Sequence, residues 1–103
     1  MLHEEEADDY SWVDVAVLRC ADKPRSKTKF MQYICEKFDG ILEHGPYLYG
    51  EYSDDADESM MQLQAYGALD GRWQITDYGR RLLEMIRKTT DDPDQLMALE
   101  VPL

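Results

Sequence analysis

Apolar side chains recur every three or four positions along most of this chain, which is the spacing of an amphipathic helix. Ser11 and Asp14 fit a helix-capping pattern, and Pro24 cannot continue a helix. We therefore predict a first helix from Ser11 to about Ala21, with a broad apolar stripe that contains Trp12, Val13, Val15, Ala16, Val17 and Cys20.

A second helix is predicted to begin at Ser26, and Gly40 is a natural stop after it. Its apolar positions are spaced by three and four residues: Phe30, Met31, Ile34, Cys35 and Phe38. Residues 39–52 are rich in glycine and tyrosine and too apolar for an open linker, so we expect them to fold back on the core.

The third predicted helix has Ser53 as its N-cap and ends at Gly67. Ala56, Met60 and Leu63 form its buried line. Acids crowd its first turns, where they favour the positive end of a helix dipole. These acids are Asp54, Asp55, Asp57 and Glu58, with Glu51 just before them.

Asp70-Gly71 stands between apolar residues, which is a strong signal for a β-hairpin. We predict a two-stranded wing with its tip at that pair. Thr76 then caps a fourth helix that runs to about Lys88, and Asp92-Pro93 opens a short fifth helix. The order of three helices, a hairpin and further helices predicts a mainly α winged helix-turn-helix fold.

Charge divides the chain into three parts. The formal net charge is -11 over 103 residues. Residues 1–9 carry five acids and no base, residues 91–103 carry four acids and no base, and residues 10–90 are nearly neutral. We interpret these parts as an acidic tail, a winged-helix domain and a short C-terminal helix that could form a homodimer. The excess of acids also fits a halophilic source.

The chain has none of the usual catalytic motifs, so we expect a protein that is not an enzyme and has no cofactor or metal. It has no apolar run long enough for a membrane span, and its acidic N-terminus does not fit a signal peptide, so we expect a cytoplasmic protein. Cys20 and Cys35 lie on apolar faces, which favours two reduced core thiols and leaves a bridge as the minor alternative. His44, near Asp39 and Glu43, is interpreted as an exposed loop residue rather than a metal ligand.

Four segments resemble YwgA-type winged-helix proteins: residues 26–34, 47–53, 62–69 and 73–83. The last segment is also similar to the wing ending of many archaeal winged-helix regulators, including repressors from haloarchaeal phages. Glu51 departs from the pattern, because the family has a proline there. The resemblance implies DNA binding or a role near antitoxins and regulators.

DNA binding by a transcriptional regulator is therefore the first functional hypothesis. Bases are dense in one short stretch, residues 19–29, which includes Arg19 and Lys23. The residues proposed to contact double-stranded DNA are Arg25, Lys27, Lys29, Gln62, Arg72, Arg80 and Arg81. The tyrosines and Trp73 between residues 47 and 78 could stack on bases, or could fix the loop and wing to the core.

The alternative is a protein-interaction module. A third helix that carries Asp54, Asp55 and Glu58 would repel phosphate if it entered a DNA groove. The same carboxylates would attract a basic protein. The sequence leaves both hypotheses open.

Overall fold

A computed structural model of the chain describes residues 6–38 and 51–103. A single 3-10 turn, Ala7–Asp9, precedes five α-helices within this part of the chain. The helices are α1 (Trp12–Cys20), α2 (Lys27–Phe38), α3 (Glu51–Ala65), α4 (Asp77–Thr89) and α5 (Pro93–Glu100).

Helix α1 is the centre of the fold. It contacts α2, α3, α4 and α5. Its residues Val15, Ala16, Val17 and Leu18 are at most 1% exposed. Four consecutive buried residues cover every side of a helix, as expected for a helix that is apolar all round and enclosed by others.

The predicted starts of three helices are confirmed. Ser11 and Asp14 form a reciprocal capping box at α1. Thr76 accepts a hydrogen bond from the backbone N–H of Gly79 at α4, and Asp92 accepts one from Asp94 at α5. Each cap satisfies a backbone donor that the helix itself leaves unpaired.

The start of α3 differs from the prediction. The helix already includes Glu51, so Ser53 lies inside it and is not its N-cap. Asp54 and Asp55 are therefore the fourth and fifth residues of α3. The predicted buried line of Ala56, Met60 and Leu63 is confirmed. Gly67, with a φ of +84°, follows the end of the helix in the left-handed conformation that glycine favours.

The predicted winged helix-turn-helix fold is wrong, because no β-hairpin wing forms. Residues 6–38 and 51–103 contain no strand, and the pair Leu69 and Ile75 makes only an isolated antiparallel bridge. The chain does reverse at Asp70-Gly71, where the Asp70 N–H donates to the Gln74 carbonyl. The reversal is a tight turn between two helices.

Two neighbouring features prevent a ladder of strands. Helix α3 ends at Ala65 and Thr76 already caps α4, so few residues remain on either side of the turn. The N–H of Ile75 donates to the carbonyl of Ala21, just after α1, at 2.8 Å. Because of this bond, the segment after the turn pairs with the helical core and does not extend its pairing with the segment before the turn.

The ends of the described chain pack on the helical body. Ala7 is buried, and so are Ala98 and Leu99 of α5. Residues 7–9, which the sequence analysis placed in an acidic tail, therefore form an ordered turn. Residues 1–5, and residues 39–50 of the predicted fold-back segment, lie outside the described residues. Residues 51 and 52 of that segment belong to α3 instead.

The two cysteines are not joined by a disulfide. Cys20 is buried and Cys35 is half-buried, in agreement with two reduced thiols. Burial raises the pKa of the Cys20 thiol to about 12. At neutral pH this thiol is therefore protonated and packs as a small apolar side chain.

Gly79 lies where α4 packs closely against the turn at Asp70-Gly71. A Cβ atom at this position would lie 2.3 Å from the carbonyl oxygen of Ala68 and 2.7 Å from Cγ1 of Ile75. We expect Gly79→Ala to lower the free energy of unfolding by about 3 kcal/mol, measured by urea denaturation, because backbone must move. Gly71→Ala is the matched control, since a Cβ there meets nothing within 4 Å. Equal losses in the two variants would contradict this packing.

Candidate functional site

An open cleft of about 550 Å³ lies between the N-terminal turn, the start of α1 and one side of α3. The N-terminal wall consists of residues 8–10, and α3 forms the opposite wall. The lining residues are Asp8, Asp9, Tyr10, Ser11, Trp12, Val13, Asp14, Asp55, Glu58, Ser59 and Gln62. We call this feature the acidic cleft.

Five carboxylates and no lysine or arginine line the acidic cleft. Asp14 is already engaged, because its two oxygens accept hydrogen bonds from the backbone N–H of Ser11 and the hydroxyl of Ser59. Asp9 accepts from the N–H of Glu6, and Glu58 accepts from the side-chain amide of Gln62. Asp8, Asp55 and Glu58 are exposed to solvent. The cleft therefore presents concentrated negative charge to whatever enters it.

The Asp14–Ser59 hydrogen bond fixes α3 against the beginning of α1. Its oxygen–oxygen distance is 2.5 Å, and Ser59 is only 5% exposed. Because the acceptor is a carboxylate and the donor hydroxyl belongs to a buried residue, this hydrogen bond is strong. It sets which residues of α3 face the cleft.

The acids predicted on the third helix are divided between two sides of it. Asp55 and Glu58 line the acidic cleft, together with Gln62. Asp54 is exposed but is not part of the lining. Asp57 pairs with Lys27 at 2.8 Å. Only part of the acidic run therefore shares one surface.

Arg25 and Lys27 are held by contacts within the fold. Arg25 donates to the Cys20 carbonyl at 2.7 Å and pairs with Asp22 at 2.9 Å. Its guanidinium carbon lies 4.0 Å from the ring centre of Tyr33. Lys27 pairs with Asp57 and lies 5.9 Å from the ring centre of Trp73. The acid on α3 thus reduces the positive charge available at the start of α2.

The other predicted DNA contacts lie on separate elements of the fold. Lys29 is exposed in the first turn of α2, and Arg72 is exposed in the turn before α4. Arg80 and Arg81 are exposed on α4, where Arg80 pairs with Asp77 at 2.9 Å. Gln62 lies in the acidic cleft, apart from this group.

Arg19 has a structural role. Its guanidinium donates to the carbonyls of Ala98 and Val101, both at 2.7 Å, and so satisfies backbone acceptors at the end of α5. Burial, together with the nearby charge of Arg87, lowers the pKa of Arg19 from its ordinary value. Arg19 therefore contributes little to any external basic surface.

Asp70 organises the turn that holds Arg72 and Trp73. Its Oδ1 accepts from the N–H groups of Arg72 and Gln74, at 2.8 Å and 3.0 Å. The hydrogen bonds from Gln74 and Arg72 lower the pKa of the Asp70 carboxyl. Trp73 has a φ of +63°, a strained value for a bulky residue, and its ring stacks on Phe30 at 6.3 Å. The stacking and the Asp70 bonds hold Trp73 in that conformation.

Sequence reasoning missed half of the acidic cleft. From the sequence alone, Asp8 and Asp9 are grouped with a tail, Trp12 is placed on the apolar stripe of the first helix, and Tyr10 is given no role. Ser59 follows Glu58 directly, but no local pattern indicates its bond to Asp14. Only the folded chain brings the N-terminal wall to α3.

Within the described ranges, no group of three or more histidine, cysteine, aspartate or glutamate side chains is arranged to hold a metal ion. His3 and His44 lie outside those ranges. Also among the described residues, no helix has both the length and the apolar character needed to cross a membrane.

No family model matches the chain, and neither the curated proteins nor the solved structures include a match to it. The resemblance to YwgA-type proteins therefore stays a prediction. Its implication of a winged-helix fold is the part that the structure contradicts.

Asp70 gives the turn a pH dependence that can be measured. Because the folded state lowers its pKa, the stability it contributes is present above the unfolded value, about 3.9, and is lost as pH falls through the folded pKa. We expect Asp70→Ala to lower the urea midpoint at neutral pH. The difference in urea midpoint between this variant and the wild type should shrink as the pH falls below about 4. Asp91→Ala, in the exposed connection before α5, is the control. A gap that does not change with pH would contradict a role for the ionised carboxylate.

Proposed function

We propose that this chain is a non-enzymatic, cytoplasmic protein-interaction module that binds a basic segment of a partner protein in the acidic cleft. The observation that carries the proposal is the set of five carboxylates, with no lysine or arginine, that line one open cleft. A partner segment rich in lysine and arginine is complementary to this surface in charge.

The chemistry of the lining favours a cationic side chain over other ligands. Tyr10 and Trp12 are among the lining residues of the same cleft, and aromatic rings attract a lysine or arginine cation. The formal net charge of -11 draws basic partners from a distance at low salt and repels polyphosphates. A segment that carries cations is therefore favoured both at long range and in contact.

The decisive experiment measures binding of a fluorescent peptide rich in arginine and lysine by anisotropy at low salt. We expect Asp55→Asn with Glu58→Gln to weaken binding about tenfold, since each exposed ion pair contributes up to roughly 1 kcal/mol. Rising salt should weaken wild-type binding as well.

The matched control is Asp91→Asn with Glu100→Gln, which removes the same two charges from exposed positions outside the cleft. This control should bind nearly as tightly as wild type. If both pairs weaken binding equally, the peptide responds to net charge and not to the cleft. If the wild type shows no binding at low salt, the proposal is rejected.

Binding of double-stranded DNA by a transcriptional regulator is the second candidate. One specific observation favours it: the N–H of Arg25 donates to the carbonyl of Arg72 at 3.3 Å. This contact places the connection between α1 and α2 beside the turn before α4. It gathers exposed cations at Lys23 and Arg72, with Lys29 in the adjoining first turn of α2.

The DNA candidate is tested by retention of duplex DNA at low salt. We expect Lys29→Glu with Arg72→Glu to abolish retention if this surface binds phosphates, because each neutralised phosphate contributes to affinity. Arg87→Glu with Lys88→Glu, on the last turn of α4, is the control with the same charge change. No retention by the wild type, or equal loss in both variants, would exclude this surface.

A homodimer through α5 is a further part of the proposal. Helix α5 buries Gln95, Ala98 and Leu99 against the core. Leu96 and Met97 remain 40% and 43% exposed on its other side. Two apolar side chains of this exposure are compatible with a symmetric contact of modest size.

A further inference from the structure

The N-terminal wall of the acidic cleft depends on a side chain from the opposite end of the chain. The Nε2 atom of Gln95, on α5, donates to the carbonyl of Ala7 at 2.9 Å and to that of Tyr10 at 2.7 Å. These two carbonyls flank Asp8 and Asp9, which line the cleft. Both protons of one amide therefore hold both ends of the turn.

The Gln95 amide is buried and fully used. The side chain is 1% exposed. Its carbonyl oxygen accepts a hydrogen bond from the hydroxyl of Thr90, which in turn accepts from the N–H of Asp92. A buried amide without partners would destabilise the fold, whereas one with every partner in place fixes its neighbours in one arrangement.

The turn has no comparable support from its own backbone. The N–H groups of Asp9 and Tyr10 donate to Glu6 and Ala7, so these bonds close the turn locally. They shape the turn but do not attach it to the helices. Attachment includes the contacts of the turn with α4, the packing of Ala7 and Tyr10 against the core, and the two bonds that Gln95 donates across 88 and 85 residues.

We infer that Gln95 is a positioning residue for the acidic cleft: it holds the wall that carries Asp8 and Asp9 opposite Asp55 and Glu58 of α3. The effect of Gln95 on binding rests on the proposed function. The placement of the wall by Gln95 rests on the two hydrogen bonds alone. A carboxylate at this position would repel the two carbonyls, and an apolar side chain would remove one hydrogen bond from each of them.

The first test follows the wall itself, by amide hydrogen exchange in the full chain. Gln95→Met keeps the side-chain length and removes both donors. We expect the exchange of the Asp9 and Tyr10 amides to accelerate about tenfold, because local opening needs less free energy once the attachment is lost. The Leu18 amide in α1 serves as the internal reference and should change much less. Unchanged exchange at Asp9 and Tyr10 would overturn the inference.

The second test is a double-mutant cycle on binding of the arginine- and lysine-rich peptide. Asp8→Asn should weaken wild-type binding about threefold, as for one exposed ion pair. In Gln95→Met the same change should have almost no effect, because the wall no longer holds Asp8 in place. An undiminished effect of Asp8→Asn in the Gln95→Met background would overturn the inference.

The control for general destabilisation is Ile86→Val, a buried change on α4 outside the cleft lining. It should leave both the effect of Asp8→Asn and the selective exchange at Asp9 and Tyr10 as in wild type. If the wild type does not bind the peptide, the proposed function fails and the exchange rates alone decide the role of Gln95. If Gln95→Met does not fold, Gln95→Asn, which keeps an amide too short to reach both carbonyls, takes its place.

Discussion

The burial of α1 is the constraint on which the rest of the structure depends. The four other helices of the described chain pack on it, and residues 15–18 are buried on all sides. An isolated helix of nine residues is not stable in water, so α1 exists because its neighbours enclose it. Asp14, in the N-terminal capping box of α1, accepts a hydrogen bond from Ser59 of α3. The carbonyl of Ala21, just after α1, accepts a hydrogen bond from the N–H of Ile75. The same helix thus organises the core, the acidic cleft and the turn before α4.

Charge is arranged so that part of the predicted basic surface serves the fold. Arg19 satisfies the end of α5, Arg25 binds the end of α1, and Lys27 pairs with an acid of α3. No lysine or arginine is among the residues that line the acidic cleft. The contrast explains why the cleft is the better candidate for recognition. It also leaves DNA binding, the second candidate function, with a limited set of exposed cations.

Local signals predicted the helices well, because caps act over three or four residues. Ser11, Thr76 and Asp92 all begin helices as expected. The hairpin signal at Asp70-Gly71 predicted the reversal correctly, but whether strands extend depends on where α3 ends and on the distant Ala21 carbonyl. The acidic cleft could be predicted only in its α3 half. Asp8 and Asp9 show no periodicity, and the bond from Gln95 to Ala7 spans 88 residues.

The attachment of the N-terminal wall has a consequence for biosynthesis. A ribosome makes Asp8 and Asp9 long before Gln95, and the helix that carries Gln95 leaves the exit tunnel only later. A nascent chain that has already exposed its first acids still lacks the amide that holds them opposite α3. The complete acidic cleft therefore forms only in chains whose α5 has been released and docked.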